Sequence, residues 1–224
     1  RWGNALTPSV GVALEPSGTL RLRMGAARGF RGPSFKELGW RFLNAAAGYT
    51  VEGNDALVPE SSWQLFTGAT WAPSRALRVD ADLYRNNLRE MIDLVLVGST
   101  EAGLLRYTPQ NRARARTQGL ELAVSYHVAP LHLSASYERL QATDRTTGLP
   151  LSQRAPHTVR LHPDRQFHAL RLDLTGRWAA AAPVIDAAGT RLADQGALMT
   201  WDAAAQLAHR HRLTLEAGVD NLLD

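Results

Sequence analysis

Residue types able to do bond-making chemistry are present in this 224-residue chain, but they are not arranged for it. His209 and His211 flank Arg210 at one turn, and His127 and His132 flank another. A His-x-His pair offers zinc two ligands, whereas a zinc site needs at least three protein ligands, and no acidic or third partner stands near in sequence. There is no cysteine, which removes thiolate ligands and any disulfide framework. No G-x-S-x-G elbow, phosphate loop or H-E-x-x-H helix occurs. Neither an enzyme nor a bound cofactor or metal is expected. What remains is recognition chemistry. Arg41, Tyr49, Arg106, Tyr107 and Gln110 are the candidate ligand contacts, and arginines among them favour an anionic ligand.

The elements that would carry these residues are strands. In Leu20-Arg21-Leu22-Arg23-Met24 every second residue is apolar, and the same holds in Leu77-Arg78-Val79-Asp80-Ala81-Asp82-Leu83. The alternation returns in 120–126, 131–137, 170–175 and 213–217. Period two means one apolar and one polar face. It predicts ten strands near 7–16, 19–30, 62–73, 76–97, 104–128, 130–142, 152–163, 168–182, 199–209 and 212–222. No helical periodicity runs beyond a dozen residues, and no apolar run reaches the roughly 18 residues of a membrane helix.

Connections alternate in length. Short turns are expected at Pro16-Ser17-Gly18, 72–75, Ala129-Pro130, Pro163-Asp164-Arg165 and 209–211, and longer segments at 31–61, 98–103, 143–151 and 183–198. Membrane barrels show this asymmetry, with short periplasmic turns and long extracellular loops. Trp63 and Trp71 share parity with Leu65 and Ala69, and their spacing of eight residues spans on the order of 20 Å of height once tilted, close to the apolar band between two aromatic girdles. The opposite face carries Arg21, Arg23, Arg78, Asp80, Asp82, Tyr84, Glu121, His127, Arg171, Asp173, Arg177 and Glu216. Such a face suits a wet lumen rather than a second dry layer, which argues against a β-sandwich. The net charge of +4 comes from arginines scattered over the strands, not the clustered patch of a nucleic-acid binder.

Four local motifs agree with this architecture. Gly29-Phe30-Arg31-Gly32-Pro33-Ser34-Phe35-Lys36-Glu37-Leu38 resembles the G-F-R-A-P-S-x-x-E-L segment of TonB-dependent outer-membrane receptors. Gly53-Asn54-Asp55-Ala56-Leu57-Val58-Pro59-Glu60 is similar to their G-N-P-x-L-x-P-E segment. Ala115-Arg116-Thr117-Gln118-Gly119-Leu120-Glu121 resembles A-R-T-x-G-L-E, and Asn221-Leu222-Leu223-Asp224 their N-L-F-D. Gly32 stands where alanine is usual and Asp55 where proline is. The resemblance covers the chain and implies an all-β, transmembrane antiparallel barrel of which about ten strands are present. Counting back from Asn221 places the first strand in the middle of the family's twenty-two-stranded barrel, with strand directions in agreement. The plug domain, the last strand and the signal sequence are expected to lie outside these residues. The motif positions Phe30, Arg31, Pro33, Glu37, Asn54, Pro59, Glu60, Gly119, Asn221 and Asp224 are read as mainly structural: Pro33 removes a ladder donor, and Pro59 and Glu60 restart a strand.

The resemblance further implies a Gram-negative outer-membrane location, contact with lipid and lipopolysaccharide, a plug inside the lumen and energy supplied by TonB acting on that plug. The expected ligand is a ferric siderophore or another anionic iron chelate, with cobalamin second. Haem ranks low because 30–60 contains no histidine. A passive porin or sugar channel is the alternative from another class, and it would need no plug.

Overall fold

The computed structural model describes residues 4–185, 189–209 and 213–223. They form one twelve-stranded sheet whose antiparallel path runs through ten strands in chain order. These are β1 (Ser9–Ser17), β2 (Leu20–Arg31), β5 (Glu60–Trp71), β6 (Leu77–Ser99), β7 (Leu105–Val128), β8 (Leu131–Asp144), β9 (His157–Phe167), β10 (Leu170–Ala179), β11 (Leu198–His209) and β12 (Leu213–Val219). Each strand pairs only with its chain neighbours along this path, as a meander does, and the sheet does not close on itself. Among the described residues no helix is long and apolar enough to cross a membrane.

The ten strands fall where alternation predicts them. Two differences have physical causes. The turn expected at Pro163-Asp164-Arg165 is not there: β9 runs through these residues to Phe167, and the chain reverses at His168-Ala169. Pro163 stays in the ladder because it faces Leu133 on one side, while the missing proline donor falls opposite Leu174, where the β9–β10 pairing is interrupted. His168 makes the turn with φ of 51°. The segment 31–61, expected as loop, contains a helical turn α1 (Phe35–Gly39) and a hairpin of β3 (Arg41–Asn44) with β4 (Tyr49–Glu52). Gly48, at φ of 74°, supplies the left-handed residue that this tight hairpin requires.

Register fixes the faces. Val12, Met24, Thr67, Leu83, Leu120, Arg139 and His157 form one row across seven strands on the apolar side. Arg23, Gly68, Asp82, Glu121, Glu138 and Thr158 form the adjacent row on the polar side. Arg23 Nη2 reaches Asp82 Oδ1 at 2.6 Å across the whole width of β5. The Cβ that any other residue would place at Gly68 would collide with that carboxylate, so the glycine leaves room for the pair. The long Arg23 side chain bridges the roughly 10 Å between strands two apart, and such paired charges on the polar side suit the inside of a barrel wall.

A second layer does not cover the apolar side. Leu57 is the largest fully buried side chain among the described residues, while Met24, Leu65, Leu83 and Leu215 are each more than half exposed. The total accessible surface is 15007 Å², against about 10,000 Å² for a globular monomer of this mass. Exposed apolar side chains in continuous rows of this kind mark a face made to meet another apolar surface.

Candidate ligand-binding site

β6 and β7 hold 23 and 24 residues. At about 3.3 Å per residue and a tilt near 40° they rise roughly 60 Å, more than twice an apolar band of about 25 Å. Their upper half stands clear of the apolar band and serves as a post for the long segment after β2. β8 pairs with β7 only from Ala115 downward. Above that, β4 takes the free edge in parallel register, Tyr49 to Leu105 and Val51 to Tyr107.

The two motif segments around α1 act as the clamp of this arrangement. Ser34 caps α1, donating its N–H to Glu37 Oε2 at 2.7 Å and accepting the Glu37 N–H on Oγ at 3.3 Å. Arg31 donates two bonds of 2.7 Å to Glu60 and also reaches Glu37 at 3.0 Å. Glu60 Oε1 accepts the Ile92 N–H at 2.6 Å, which ties the start of β5 to the β6 post. Asn54 donates to the Pro109 carbonyl at 3.0 Å. Asn111 accepts the Val58 N–H at 2.9 Å and donates to the Val58 carbonyl at 2.9 Å, seating Leu57 at 1% exposure. Asn111 has the inward parity of Glu121, so 54–58 folds over the inner side of the wall. Pro33 is buried, and Phe30 points outward at 42% exposure. Burial pushes the Glu37 carboxyl up, and the bonds from Ser34 and Arg31 more than reverse this, leaving it below the ordinary glutamate range.

Two further motif residues have a visible steric role. At Gly119 a Cβ would lie 2.5 Å from the Arg139 carbonyl oxygen and 2.7 Å from Tyr84 Oη, so glycine lets the Tyr84 ring cross β7. Asn221 adopts φ of 56°, a conformation that asparagine tolerates, and its N–H donates to Asp202 Oδ1 at 2.8 Å. Asp224 and the turn 210–212 lie outside the described residues.

The structure divides the candidate ligand contacts between two faces of the upper sheet. Tyr49 and Tyr107 meet edge-on with ring centroids 6.1 Å apart. Phe42 lies 6.1 Å from Tyr49 and stacks on Trp40 at 5.1 Å, and the Lys36 ammonium sits 5.2 Å above the Trp40 ring. Tyr107 has the inward parity of Asn111, so this aromatic face looks toward the barrel axis. Arg41, paired with Glu52, and Arg106, paired with Thr50, lie on the opposite face, and Arg106 reaches Glu52 at 3.9 Å. Gln110 shares that outward parity, opposite Asp93. Sequence reading named neither Trp40 nor Phe42. Their spacing of two residues inside an unpatterned segment was the available signal.

Lower on the inner wall stands a second polar cluster. His127, His132, Asp164 and Asp173 occupy one row across four strands. His132 Nδ1 lies 2.8 Å from Asp164 Oδ2, and His162 Nε2 lies 3.4 Å from Asp173 Oδ1. The ligating atoms of His162, Asp164 and Asp173 lie within 4.8 Å of one another. His132 thus meets an acidic partner 32 residues away in sequence. Arg171 shares both carboxylates, at 3.4 Å and 3.0 Å, so a guanidinium takes the place of a cation there.

The family profile described as "TonB dependent receptor-like, beta-barrel" matches residues 1–222. The chain is 25% identical over 224 residues to the vitamin B12 transporter BtuB of Vibrio vulnificus, covering 100% of this chain and 33% of that protein. The ferric enterobactin receptor PfeA of Pseudomonas aeruginosa superposes with a TM-score of 0.76 at 22% identity, over 97% of this chain and 34% of the receptor. The copper transporter OprC superposes with a TM-score of 0.77 at 20% identity, over 96% of this chain and 33% of that one. The chain therefore spans about one third of the length of the relatives it matches. The profile covers nearly the whole of this open meander, and the chain belongs to the TonB-dependent receptor family, as part of its β-barrel.

Proposed function

We propose that this chain is barrel wall of a Gram-negative outer-membrane receptor that takes up a scarce solute, a ferric siderophore first, with energy delivered by TonB through a plug domain. The observation that carries the ligand class is the aromatic face of Trp40, Phe42, Tyr49 and Tyr107 above the lumen, with Lys36 over it. Flat rings beside a cation suit a planar, anionic chelate. The polar inner wall, rich in paired charges, supports a surface that meets a plug rather than a dry core. The relationships support binding and gating, not bond making: the matched proteins are named as transporters and receptors.

A cobalamin receptor is the second reading, favoured by the relation to a vitamin B12 transporter over the whole chain. The deciding experiment is growth of the source organism with the full gene deleted, under iron limitation with single siderophores and separately with cobalamin. Loss of growth on one chelate, restored by the gene and dependent on TonB, is the expected result. Unchanged uptake of every chelate and of cobalamin removes the substrate assignment. Uptake of the true solute that persists without TonB makes the chain part of a passive channel.

A further inference from the structure

We propose that His162, Asp164 and Asp173 form a binding site on the inner wall for a divalent transition ion of the zinc class, which enters by displacing one nitrogen of the Arg171 guanidinium. The site goes beyond solute uptake, because it belongs to the wall itself.

Two neighbouring strands supply the ligands. Asp164 and Asp173 face each other across β9 and β10, and His162 shares the inward parity of Asp164. The ligating atoms of the three lie within 4.8 Å of one another, and His162 Nε2 is 3.4 Å from Asp173 Oδ1. Zinc holds nitrogen and oxygen ligands at roughly 2.0–2.2 Å in a tetrahedron, which sets them about 3.4 Å apart. One pair already has that separation, and modest side-chain rotation brings the others to it.

Each ligand also has a neighbour that fixes its orientation. His132 Nδ1 lies 2.8 Å from Asp164 Oδ2, which leaves Oδ1 for an ion. His162 Nδ1 lies 2.9 Å from Thr175 Oγ1, and a ring whose Nδ1–H is given to that hydroxyl presents the Nε2 lone pair to a metal. Arg171 Nε lies 3.0 Å from Asp173 Oδ2, which leaves Oδ1. Metal sites are built in this way, with partners engaging the atoms that the ion does not use. Imidazole combined with carboxylate favours zinc and its neighbours over magnesium and calcium, which take oxygen ligands.

Arg171 marks the position of the ion. Its Nη2 lies 3.4 Å from Asp164 Oδ1 and 3.3 Å from Asp173 Oδ1, the two oxygens turned to the proposed metal. One guanidinium thus serves two carboxylates whose side chains are 12% and 24% exposed. A divalent ion at this point balances both, while Arg171 keeps its Nε contact with Asp173. Beyond His162 and Thr175 the next inward side chains are Arg160 and Arg177, facing each other, so the ligand set ends there. The place also has a structural consequence. Pro163 stands between His162 and Asp164, where the β9–β10 pairing is interrupted. An ion held by both strands joins them across that gap.

The test uses the full-length receptor in detergent, without a histidine tag and stripped with a chelator. Wild type is titrated calorimetrically with zinc chloride, and separately with magnesium and calcium chlorides. One saturable zinc site is expected, with magnesium and calcium binding at least about a hundredfold more weakly. His162→Ala and Asp173→Asn should each weaken zinc about tenfold or more, and Arg171→Gln should strengthen it several-fold. Glu121→Gln, an inward carboxylate of β7 outside the cluster, should bind as wild type. Zinc should also raise the temperature at which the barrel loses its folded mobility on gels, and Asp173→Asn should abolish that rise. Absence of saturable zinc binding by wild type overturns the proposal, and so does equal affinity for zinc and calcium. Neither measurement needs a variant, so a variant that fails to assemble does not shield the idea. Unchanged binding in both His162→Ala and Asp173→Asn overturns it as adventitious binding elsewhere. Weaker binding in Arg171→Gln overturns it too, because the guanidinium would then support the site and not compete for it. The uptake reading is separate: TonB-dependent uptake without zinc binding ends this site alone, whereas zinc binding with TonB-independent uptake leaves the site and ends that reading.

Discussion

Single atoms decide several positions that pattern reading marks only as important. At Gly119 a methyl group would meet a backbone oxygen at 2.5 Å, whereas at Gly68 the nearest atoms belong to the ends of the Asp82 and Arg23 side chains. Side-chain ends can swing away; a carbonyl in a paired strand cannot without breaking its ladder. Gly119→Ala should therefore lower the yield of assembled barrel far more than Gly68→Ala. Heat-modifiable mobility of the full-length receptor on gels reads this directly. Equal yields would show that the wall yields to both.

Elements extend the same reasoning to surfaces. The segment after β2 keeps its shape through α1 and its cap, and removing such a cap costs about 1 kcal/mol. Ser34→Ala should therefore increase protease cutting within 32–59 several-fold, with the barrel intact. Glu37 gives this clamp a pH dependence. Its carboxyl is held below the ordinary glutamate range in the fold, so the unfolded segment binds the proton more readily. The contribution is full above the ordinary glutamate pKa and is lost as pH falls through the depressed value. Protection of 32–59 should thus persist at neutral pH and fade only under acid conditions, and Glu37→Gln should remove that step. On the strands, Leu172 is outward and Asp173 inward, in line with Ala205 and Ala204 of β11. A charge on the lipid side near the midplane costs roughly 2–4 kcal/mol. Leu172→Arg should impair assembly, and Asp173→Ala should not do so by that route. Equal tolerance at both positions would mean that the faces are exchanged.

The whole molecule has a direction as well as two faces. Tight reversals at one end of the strands, among them Ala72–Ala76 and His168-Ala169, contrast with the clamped segment and the tall β6–β7 hairpin at the other. With short turns in the periplasm, Tyr49 lies outside the cell and Ser74 inside the envelope. In the full-length receptor on intact cells, Tyr49→Cys should react with an impermeant maleimide and Ser74→Cys should not. The reverse pattern would invert the orientation and remove the aromatic face of Tyr49 and Tyr107 from the extracellular mouth.

Strand positions and faces were legible because period two is local: each residue's side follows from its neighbours, so Leu172 and Arg171 could be assigned without knowing what lies beside them. The long segments, the short turns and the receptor motifs were equally local. The turn at His168-Ala169 escaped because proline signals a break, yet Pro163 sits where the ladder can spare its donor. The structure alone decided which distant residues meet. Arg23 and Asp82 are 59 apart in sequence and share a bidentate contact only because β5 carries Gly68 between them. Arg106 and Tyr107 are adjacent in sequence and read alike as candidates, but alternation in β7 sends them to opposite faces, one to Glu52 and the other to Tyr49. That separation depends on the path of 31–61 across the β6–β7 post and on the edge that β4 takes. Both are set by contacts between strands that no local pattern encodes.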